Sequence, residues 1–277
     1  MDMATLLTQR FITPSVPRVV ALLLTELSAS QPDLRRIAQL LGTDPALAVR
    51  LLQAANAPFF KLPGQIHSVA EALAVLRLGQ VQSMVSQAAS QASFRTMPGL
   101  DMQKFWASSV DAARVARSLA GLLRLNQQAA YTSGLIHAVG ELAMRLALPE
   151  ALALDARSGP LDLKRGRAER AAFGFCHTQV SAGLVAQWHF PQVIVDALSF
   201  AHAPFDNDAY EPLAGVMHLA IWRARARQMG LAPNGLAVTF PAAVGEVLGL
   251  DIDMVLQQDP TDWSRQVPGK TFADLAA

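Results

Sequence analysis

Apolar residues recur with helical spacing along almost the whole chain. Between residues 34 and 41 the apolar positions fall on one face of a helix, and Gly42 follows where a left-handed C-terminal cap is expected. The same spacing predicts helices over residues 128–146, 168–173, 178–188, 191–201 and 213–229. Only residues 238–240 have the character of a β-strand, so the pattern predicts an all-α fold.

Capping residues indicate where two N-terminal helices begin. Asp44 is suited to cap a helix with its side chain, and Pro45 occupies the first helical position, where its missing N–H costs no hydrogen bond. Ser68 and Glu71 have the spacing of a capping box, and the helix that they open is expected to end before Gly79. These signals predict helices that begin just after Asp44 and just after Ser68.

Asn56 stands at the end of the helix that Asp44 opens, two residues before Pro58. Since the proline ends helical hydrogen bonding, backbone groups near it lack partners within the helix. The Asn side chain offers both donors and an acceptor. We therefore expect the Asn56 amide to be largely buried and bonded to backbone groups, whereas a solvent-facing turn residue is the alternative.

A break at residues 97–99 divides the helical pattern, and Asp101 after it can cap a further helix. We therefore predict an N-terminal helical subdomain over residues 1–98, a second helical subdomain over 99–230 and a C-terminal tail over 231–277. In the tail, Pro241 and Asp251 are expected to begin two short helices.

The composition fits a soluble, cytoplasmic protein. The chain has 277 residues, 52% of them hydrophobic, but it has no apolar run long enough to span a bilayer and no signal peptide at its N-terminus. Cys176 is alone, so no internal disulfide is possible, which fits a reducing compartment. The net charge of +1 gives no general attraction for nucleic acid. We expect no nucleic-acid partner and no membrane partner.

Two local clusters of positive charge lie in the second half of the chain. The first comprises Lys164, Arg165, Arg167 and Arg170, and the second comprises Arg223, Arg225 and Arg227. Alternate residues fan out around a helix instead of forming one stripe. We interpret both clusters as solvent-exposed charges.

The order of motifs in the first half resembles the HDOD family, a bacterial signalling relative of the HD and HD-GYP metal-dependent phosphohydrolases. That family has an Asp-Pro pair, an Arg-Leu-Leu run and an Ala-Asn-Ser end within one helix, followed by a helix that starts at a serine. The corresponding residues are Asp44-Pro45, Arg50-Leu51-Leu52, Ala55-Asn56 and Ser68, with Ala57 in place of the usual serine.

The second half is similar to the HD-like core of the same family. Residues 134–140 resemble the motif around the histidine–aspartate doublet, but Ala138 follows His137 where the aspartate is expected. Residues 173–177 and 188–191 resemble two later landmarks of the family. The resemblance covers about residues 10–230. It implies an N-terminal helical bundle packed against an HD-like helical region.

The resemblance also implies where a metal site would lie. The first metal-binding histidine of the family corresponds to Ser108, its doublet to His137 and Ala138, and two later histidine positions to His177 and His202. HD-type hydrolysis needs imidazoles and carboxylates that hold metal ions and activate water. Serine is a poor ligand, and alanine cannot bridge two cations. We therefore expect these five residues to form a degenerate pocket, with no catalytic residue, no bound metal and no cofactor.

Other interpretations of these side chains remain open. Three imidazoles can bind zinc, although we identify no acidic residue that would orient them. His218 lies on nearly the same helical face as Ile221, which stands near the family's late aspartate, and could join the pocket. Cys176 next to His177 could act as a nucleophile, but again no orienting acid is identified.

Three functions are compatible with this sequence. The leading hypothesis is a non-catalytic signalling module that acts by binding an unidentified signalling protein. The alternative is a sensor that binds a nucleotide or another phosphate-bearing ligand in the former catalytic cavity without hydrolysing it. An active phosphohydrolase is the third, and it requires metal ligands at other positions. No receiver, kinase or diguanylate-cyclase segment is recognisable in this sequence, which favours a partner protein.

Overall fold

The computed structural model describes residues 1–9, 11, 13–60, 62, 64–90, 97, 99–156, 158, 164–206 and 210–257. Within these residues the secondary structure is helical and no strand is present, so the prediction of an all-α fold is confirmed. The helices are α1 (Met3–Leu7), α2 (Pro17–Leu27), α3 (Leu34–Leu41), α4 (Pro45–Ala55), α5 (Val69–Val75), α6 (Leu78–Ser90), α7 (Met102–Leu122), α8 (Gln127–Ile136), α9 (Val139–Ala147), α10 (Glu150–Ala153), α11 (Arg165–Phe173), α12 (His177–Gln187), α13 (Gln192–Phe200), α14 (Pro212–Gln228), α15 (Pro233–Thr239), α16 (Ala242–Leu248) and α17 (Ile252–Gln257).

Asp44 caps α4 and also ties α2 to it. Its Oδ1 accepts a hydrogen bond of 2.9 Å from Leu47 N–H, and its Oδ2 accepts one of 2.7 Å from Val16 N–H just before α2. Pro45 occupies the first position of α4. Burial raises the pKa of Asp44 to about 6, although these backbone hydrogen bonds favour the charged form. The cap is therefore both a local helix start and a contact between two helices.

The turn at Gly42 differs from the predicted left-handed cap. Its φ is −68°, in the right-handed region. Thr43 N–H donates to Leu40 O at 3.0 Å, so the chain continues with the same hand directly into the start of α4. The short connection, with only three residues between the two helices, explains the difference.

The capping box opens a shorter helix than predicted. Ser68 Oγ accepts from Glu71 N–H at 3.2 Å, and the Glu71 carboxylate accepts from His67 N–H at 2.7 Å. Leu76 then has an extended backbone, with φ −85° and ψ 141°, and ends α5. Gly79 lies in the first turn of α6 and does not end the preceding helix. The prediction was wrong here because the apolar spacing continues across the break.

The predicted boundary at residues 97–99 precedes α7. Gly99 has a left-handed φ of 69°, and Pro98 lies outside the described residues. Asp101 Oδ1 accepts hydrogen bonds from Gln103 N–H at 3.1 Å and Lys104 N–H at 3.2 Å, so Asp101 caps α7 as expected.

One continuous apolar core includes residues from both predicted subdomains, among them Leu23, Leu52, Ala116 and Trp222. At its centre α7 packs against α8 and α14, while α12 packs against α9 and α13. A Cβ at Gly134 would lie only 2.6 Å from Ala113 N, so α8 can approach α7 this closely because it carries a glycine there. These helices form the frame of the candidate site.

The C-terminal region is helical where a β-like fragment was expected. Val238 and Thr239 belong to α15, whose first helical position is Pro233. The helices α16 and α17 begin after Pro241 and Asp251, as predicted. Residues 258–277 of the predicted tail lie outside the described residues. Across the described part of the chain, no helix combines the length and apolar character needed to cross a membrane.

Candidate functional site

The five residues of the expected degenerate pocket line one small cavity. They are Ser108 of α7, His137 and Ala138 between α8 and α9, His177 at the start of α12, and His202 in the turn after α13. Ile221 and Arg225 of α14 complete the lining. The cavity volume is about 10 Å³. This is room for about one water molecule.

Close packing between α9 and α12 holds His137 at this cavity. The Ser181 hydroxyl donates to His137 O at 2.8 Å and accepts from Gly140 N–H at 2.9 Å. A Cβ at Gly140 would lie 2.6 Å from Ser181 N, so only glycine permits this approach. The bonds to Ser181 draw backbone groups of this segment away from the helical ladder. The helix predicted over residues 128–146 is accordingly divided into α8 and α9 at this point.

His137 is a neutral imidazole in the folded protein. Burial lowers its pKa to about 4, and the charge of nearby His177 lowers it further. The hydrogen bond to Gly134 O acts in the opposite direction but is outweighed. Its Nδ1 lies 2.7 Å from Gly134 O, so this nitrogen carries the hydrogen and donates. The Nε2 lone pair is left as the acceptor of the ring.

An acidic residue orients His177, contrary to the expectation from the sequence. Glu169 Oε2 lies 2.6 Å from His177 Nδ1 and accepts a second bond of 2.8 Å from His177 N–H. Burial opposes a charged imidazole, but the charge and the hydrogen bond of Glu169 outweigh it and raise the pKa of His177. Burial also opposes charge on Glu169, whose pKa is nevertheless lowered by His177. The two side chains form a buried ion pair.

His202 contacts the edge of the His177 ring that points away from Glu169. The Nε2 atoms of the two residues are 3.1 Å apart, and the rings meet edge to face. Burial and the charge of His177 lower the pKa of His202 well below its ordinary value. His177 Nε2 therefore carries the hydrogen between the rings and donates the hydrogen bond, and the Nε2 lone pair of neutral His202 accepts it.

A second buried network surrounds Arg165. This side chain is fully buried, and it donates to Glu169 Oε1 at 2.9 Å and to Asp155 Oδ1 at 2.6 Å. Arg145, also fully buried, donates to Asp155 Oδ1 at 2.8 Å and to Glu141 Oε1 at 3.2 Å. Three carboxylates behind the cavity are thus held by two arginines.

This network corrects the interpretation of the two basic clusters as solvent-exposed charges. Arg165 of the first cluster is buried, whereas its neighbours Lys164, Arg167 and Arg170 are exposed. The arginines of the second cluster are half-buried; Arg227 donates to Asp111 Oδ2 at 2.6 Å. The interpretation failed where an acidic partner far away in the sequence allows burial of the charge.

The residues of the small cavity do not fit a divalent metal ion. HD-type chemistry needs carboxylates to bind and bridge cations, and Ser108 and Ala138 supply none. Glu169 already binds His177 and Arg165, and Arg225 adds a cationic side chain to the lining. Over the described ranges of the chain, no group of three or more His, Cys, Asp or Glu side chains is arranged to hold a metal ion.

Cys176 and His218 have structural partners of their own. Cys176 is buried, its N–H donates to Gln179 Oε1 at 2.9 Å, and its Sγ lies 3.1 Å from Thr178 Oγ1. His218 Nδ1 lies 2.8 Å from Ala201 O, and the residue is not part of the cavity lining. Neither side chain adds a nucleophile or a ligand to the small cavity.

The Asn56 side chain is fully buried at the end of α4. Its Nδ2 donates to Leu52 O at 3.1 Å and to Ile66 O at 3.0 Å, and its Oδ1 accepts from Ile66 N–H at 3.1 Å. The expectation of a buried amide that bonds backbone groups is confirmed. The partner Ile66 lies in the segment before α5, so the amide links two helices.

Glu169 and Arg225 belong to this site but were not predicted from the sequence. A weak signal for Glu169 was present, since Arg165 and Glu169 are four residues apart and could pair on one helical face, but the helix was predicted only from residue 168. The spacing could not show that the same carboxylate reaches His177. Arg225 was considered only as a member of a charged cluster.

Comparisons with known proteins agree with this geometry. A family model described as HDOD domain matches residues 13–204. The crystal structure of the MmoQ response regulator from Methylococcus capsulatus is similar at 26% identity, with 90% of this chain and 98% of that chain covered and a TM-score of 0.71. Curated protein sequences give no match.

Two more distant solved structures support the fold alone. A virulence factor from Campylobacter jejuni is 17% identical, with 97% of this chain and 98% of that chain covered and a TM-score of 0.70. An HDOD domain protein with unknown function from Geobacter sulfurreducens is 23% identical, with 93% and 94% covered and a TM-score of 0.50. Because the family model covers well over half of its residues, this chain belongs to the HDOD domain family.

Proposed function

We propose that this protein is a non-catalytic HDOD signalling module that transmits a signal by binding another protein. The observation that carries the proposal is the small cavity at His137, which has a volume of about 10 Å³ and no carboxylate side chain among its described lining residues. Three of the five positions that correspond to family metal ligands keep a histidine, whereas Ser108 and Ala138 offer no such ligand and the cavity has no space for a substrate.

The requirements of phosphoester hydrolysis support this proposal. An HD-type hydrolase must place metal-bound water against a phosphorus atom, and a cavity that holds about one water has no room for both. The nearest acids, Glu141 and Glu169, are bonded to Arg145 and Arg165. Recruiting either one as a metal ligand would break a buried ion pair and leave its arginine with Asp155 as the remaining close partner, which costs free energy. The same small volume argues against a nucleotide ligand in this cavity.

A signalling role is supported by the relatives. The MmoQ protein, 26% identical, is a response regulator. Among the described residues of this chain no group of His, Cys, Asp or Glu side chains is arranged to hold a metal ion, which supports a bound partner as the route for a signal. We place this activity in the cytoplasm, with a protein as partner and neither nucleic acid nor membrane.

Several apolar side chains on the surface are suited to contact such a partner. Phe59, in the turn after α4, is 84% exposed, and Val238 of α15 is 86% exposed. Aromatic side chains are enriched at protein interfaces, and the buried core of an interface is more apolar than the rest of the surface. We therefore expect at least one of these two positions to lie in the partner interface.

Two measurements test this function. The immobilised 277-residue chain should capture a specific protein from a bacterial lysate, and the purified partner should bind again in isolation. Phe59→Ser or Val238→Ser should weaken that binding, whereas Gln53→Ser, a change at another exposed residue, should not.

Elemental analysis of the dialysed protein should find no near-equimolar Mn, Fe or Zn. Metal that is lost on replacing His137 with Ala would contradict the proposal.

A further inference from the structure

A second cavity lies away from the one at His137. It has a volume of about 460 Å³ and is enclosed by α3, the start of α5, α7 and α8. Its lining is rich in polar side chains, among them Arg36, Ser68, Arg114, Arg117, Gln128 and Tyr131. Cavities of about 300–1,000 Å³ are the usual size for small-molecule sites. The second cavity is therefore large enough for a ligand that the first could not hold.

Two of its arginines are positioned to meet an anion. Arg114 and Arg117 are three residues apart on α7 and so lie on one face of that helix. Among the described residues, no ion pair with a carboxylate is found for either guanidinium. Asp111, one turn earlier, already accepts a hydrogen bond from Arg227 at 2.6 Å. The wall of the cavity thus carries two guanidinium groups that no described carboxylate contacts at salt-bridge distance, and the charge of Arg114 acts on Asp111 only from farther away.

The third arginine of the lining, Arg36, is already paired with a carboxylate, unlike Arg114 and Arg117. Arg36 Nε lies 3.2 Å from Glu26 Oε2, so its charge is matched within the protein. Only Arg114 and Arg117 therefore have guanidinium groups left for a ligand, and a guanidinium has five donor hydrogens in a fork that fits phosphate oxygens.

Tyr131 gives the cavity a rigid wall. Its hydroxyl donates to Gly42 O at 2.9 Å, and the guanidinium carbon of Arg117 lies 5.2 Å from the centre of its ring. Burial raises the pKa of Tyr131, and the charges of Arg114 and Arg117 act in the opposite direction, as expected for two cations nearby. The bond to Gly42 fixes the ring, and the ring in turn helps to fix Arg117.

Further donors lie along the same lining. Ser68 Oγ accepts from Glu71 N–H at 3.2 Å, which leaves the hydroxyl hydrogen available to a ligand. Gln128 is exposed and can turn its amide towards the cavity. Together with two guanidinium groups, these donors match an acceptor-rich group with more than one negative charge.

We propose that this second cavity binds a small phosphate-bearing molecule, with Arg114 and Arg117 contacting the phosphate. A doubly charged phosphate uses both cations, whereas a single carboxylate would use one. The walls come from segments far apart in sequence, so a bound ligand would hold the N-terminal helices against α7 and α8. The site is independent of the proposed loss of hydrolytic activity at His137.

The test uses the 277-residue chain and two probes, inorganic pyrophosphate and AMP, in isothermal titration calorimetry. We expect saturable binding of at least one probe. Arg114→Gln and Arg117→Gln should each weaken it by about tenfold or more, because each removes a charged hydrogen-bond donor. Arg18→Gln, which removes the same charge from an exposed residue outside the cavity, should bind like wild type. Pyrophosphate bound as tightly as AMP would identify the phosphate alone as the ligand group, and tighter AMP binding would identify an organic phosphate.

A third variant covers the case in which an arginine variant does not fold. Gln128→Glu adds a negative charge at an exposed lining residue and should weaken binding, whereas Gln53→Glu adds the same charge elsewhere on the surface and should not. The proposal is overturned if neither probe binds wild type at millimolar concentration. It is also overturned if binding survives in folded Arg114, Arg117 and Gln128 variants, or is lost instead in His137→Ala, which would place the ligand in the first cavity.

Discussion

Glu169 Oε2 accepts two hydrogen bonds from one residue, 2.8 Å from the backbone N–H of His177 and 2.6 Å from its Nδ1. The backbone bond holds the first residue of α12, and the ring bond sets the direction of the imidazole. A carboxylate commonly orients a metal-binding histidine in this way. In this protein the Nε2 atom of the oriented imidazole lies 3.1 Å from Nε2 of His202, so its partner is a second imidazole.

The first prediction concerns the charge of His177. Glu169→Gln keeps the size of the side chain but removes its charge, so burial is no longer outweighed and the pKa of His177 should fall below its ordinary value of about 6.5. An NMR titration of the histidine ring carbons measures this. Glu150→Gln, at an exposed position, is the control and should leave the His177 titration unchanged. An unaltered pKa in Glu169→Gln would show that the carboxylate does not hold the charge.

The second prediction concerns stability in acid. Burial lowers the pKa of His137 from 6.5 to about 4, so between these values the unfolded chain binds a proton that the folded protein does not. Stability from this residue is therefore present above pH 6.5 and is lost as the pH falls. Relative to His137→Gln, wild type should lose about 2 kcal/mol between pH 7.5 and pH 5, since each pKa unit corresponds to about 1.4 kcal/mol. Urea denaturation of both proteins at both pH values tests this, and a constant difference would contradict it.

The third prediction concerns the buried arginine. Arg165→Met removes the partner of Glu169 and one partner of Asp155 but keeps much of the side-chain volume. It should destabilise the protein by about 3–5 kcal/mol because it breaks the buried ion pairs of Arg165 and leaves Glu169 with His177 as its one remaining cation. Arg167→Met, two residues away and exposed, should change stability by less than about 0.5 kcal/mol. Equal thermal denaturation of the two variants would mean that the Arg165 ion pairs do not stabilise the fold.

The fourth prediction concerns Asn56. Asn56→Leu leaves Leu52 O and both backbone groups of Ile66 without their side-chain partner. The cost should be about 1–3 kcal/mol of unfolding free energy, and Asn56→Asp should retain the acceptor but lose the donors. Gln53→Leu removes an exposed amide from the same helix and serves as the control. A melting temperature of Asn56→Leu equal to that of wild type would exclude Asn56 as a link between the two helices.

Features that depend on a few neighbouring residues could be predicted from the sequence. The cap at Asp44 and the cap at Ser68 need only a side-chain oxygen and a backbone N–H three residues later, and both are present. The break after α5 was missed because apolar spacing alone does not record an extended residue such as Leu76. The helix containing Val238 was missed because β-branched residues favour a strand and Pro233, which occupies the first helical position, was not considered as a helix start.

Features that depend on distant partners could not be predicted from spacing. The motif resemblance predicted that Ser108, His137 and His202 line one cavity. It could do so because family motifs mark positions that lie together in the family's fold. Burial of Arg165 depends on Asp155 and Glu169 meeting it from two sides, which hydrophobic periodicity does not encode. Without those partners an arginine is best interpreted as exposed, which is why the basic cluster was misinterpreted.

Hydrolysis of a phosphodiester is the measurement that tests the central claim most directly. Purified protein is incubated with cyclic di-GMP or bis-p-nitrophenyl phosphate and added Mn²⁺, beside the same assay with His137→Ala. With Ser108 and Ala138 at the metal positions, we predict that wild type releases product no faster than buffer containing Mn²⁺ alone. Turnover that requires Mn²⁺ and disappears in a folded His137→Ala variant would contradict the account.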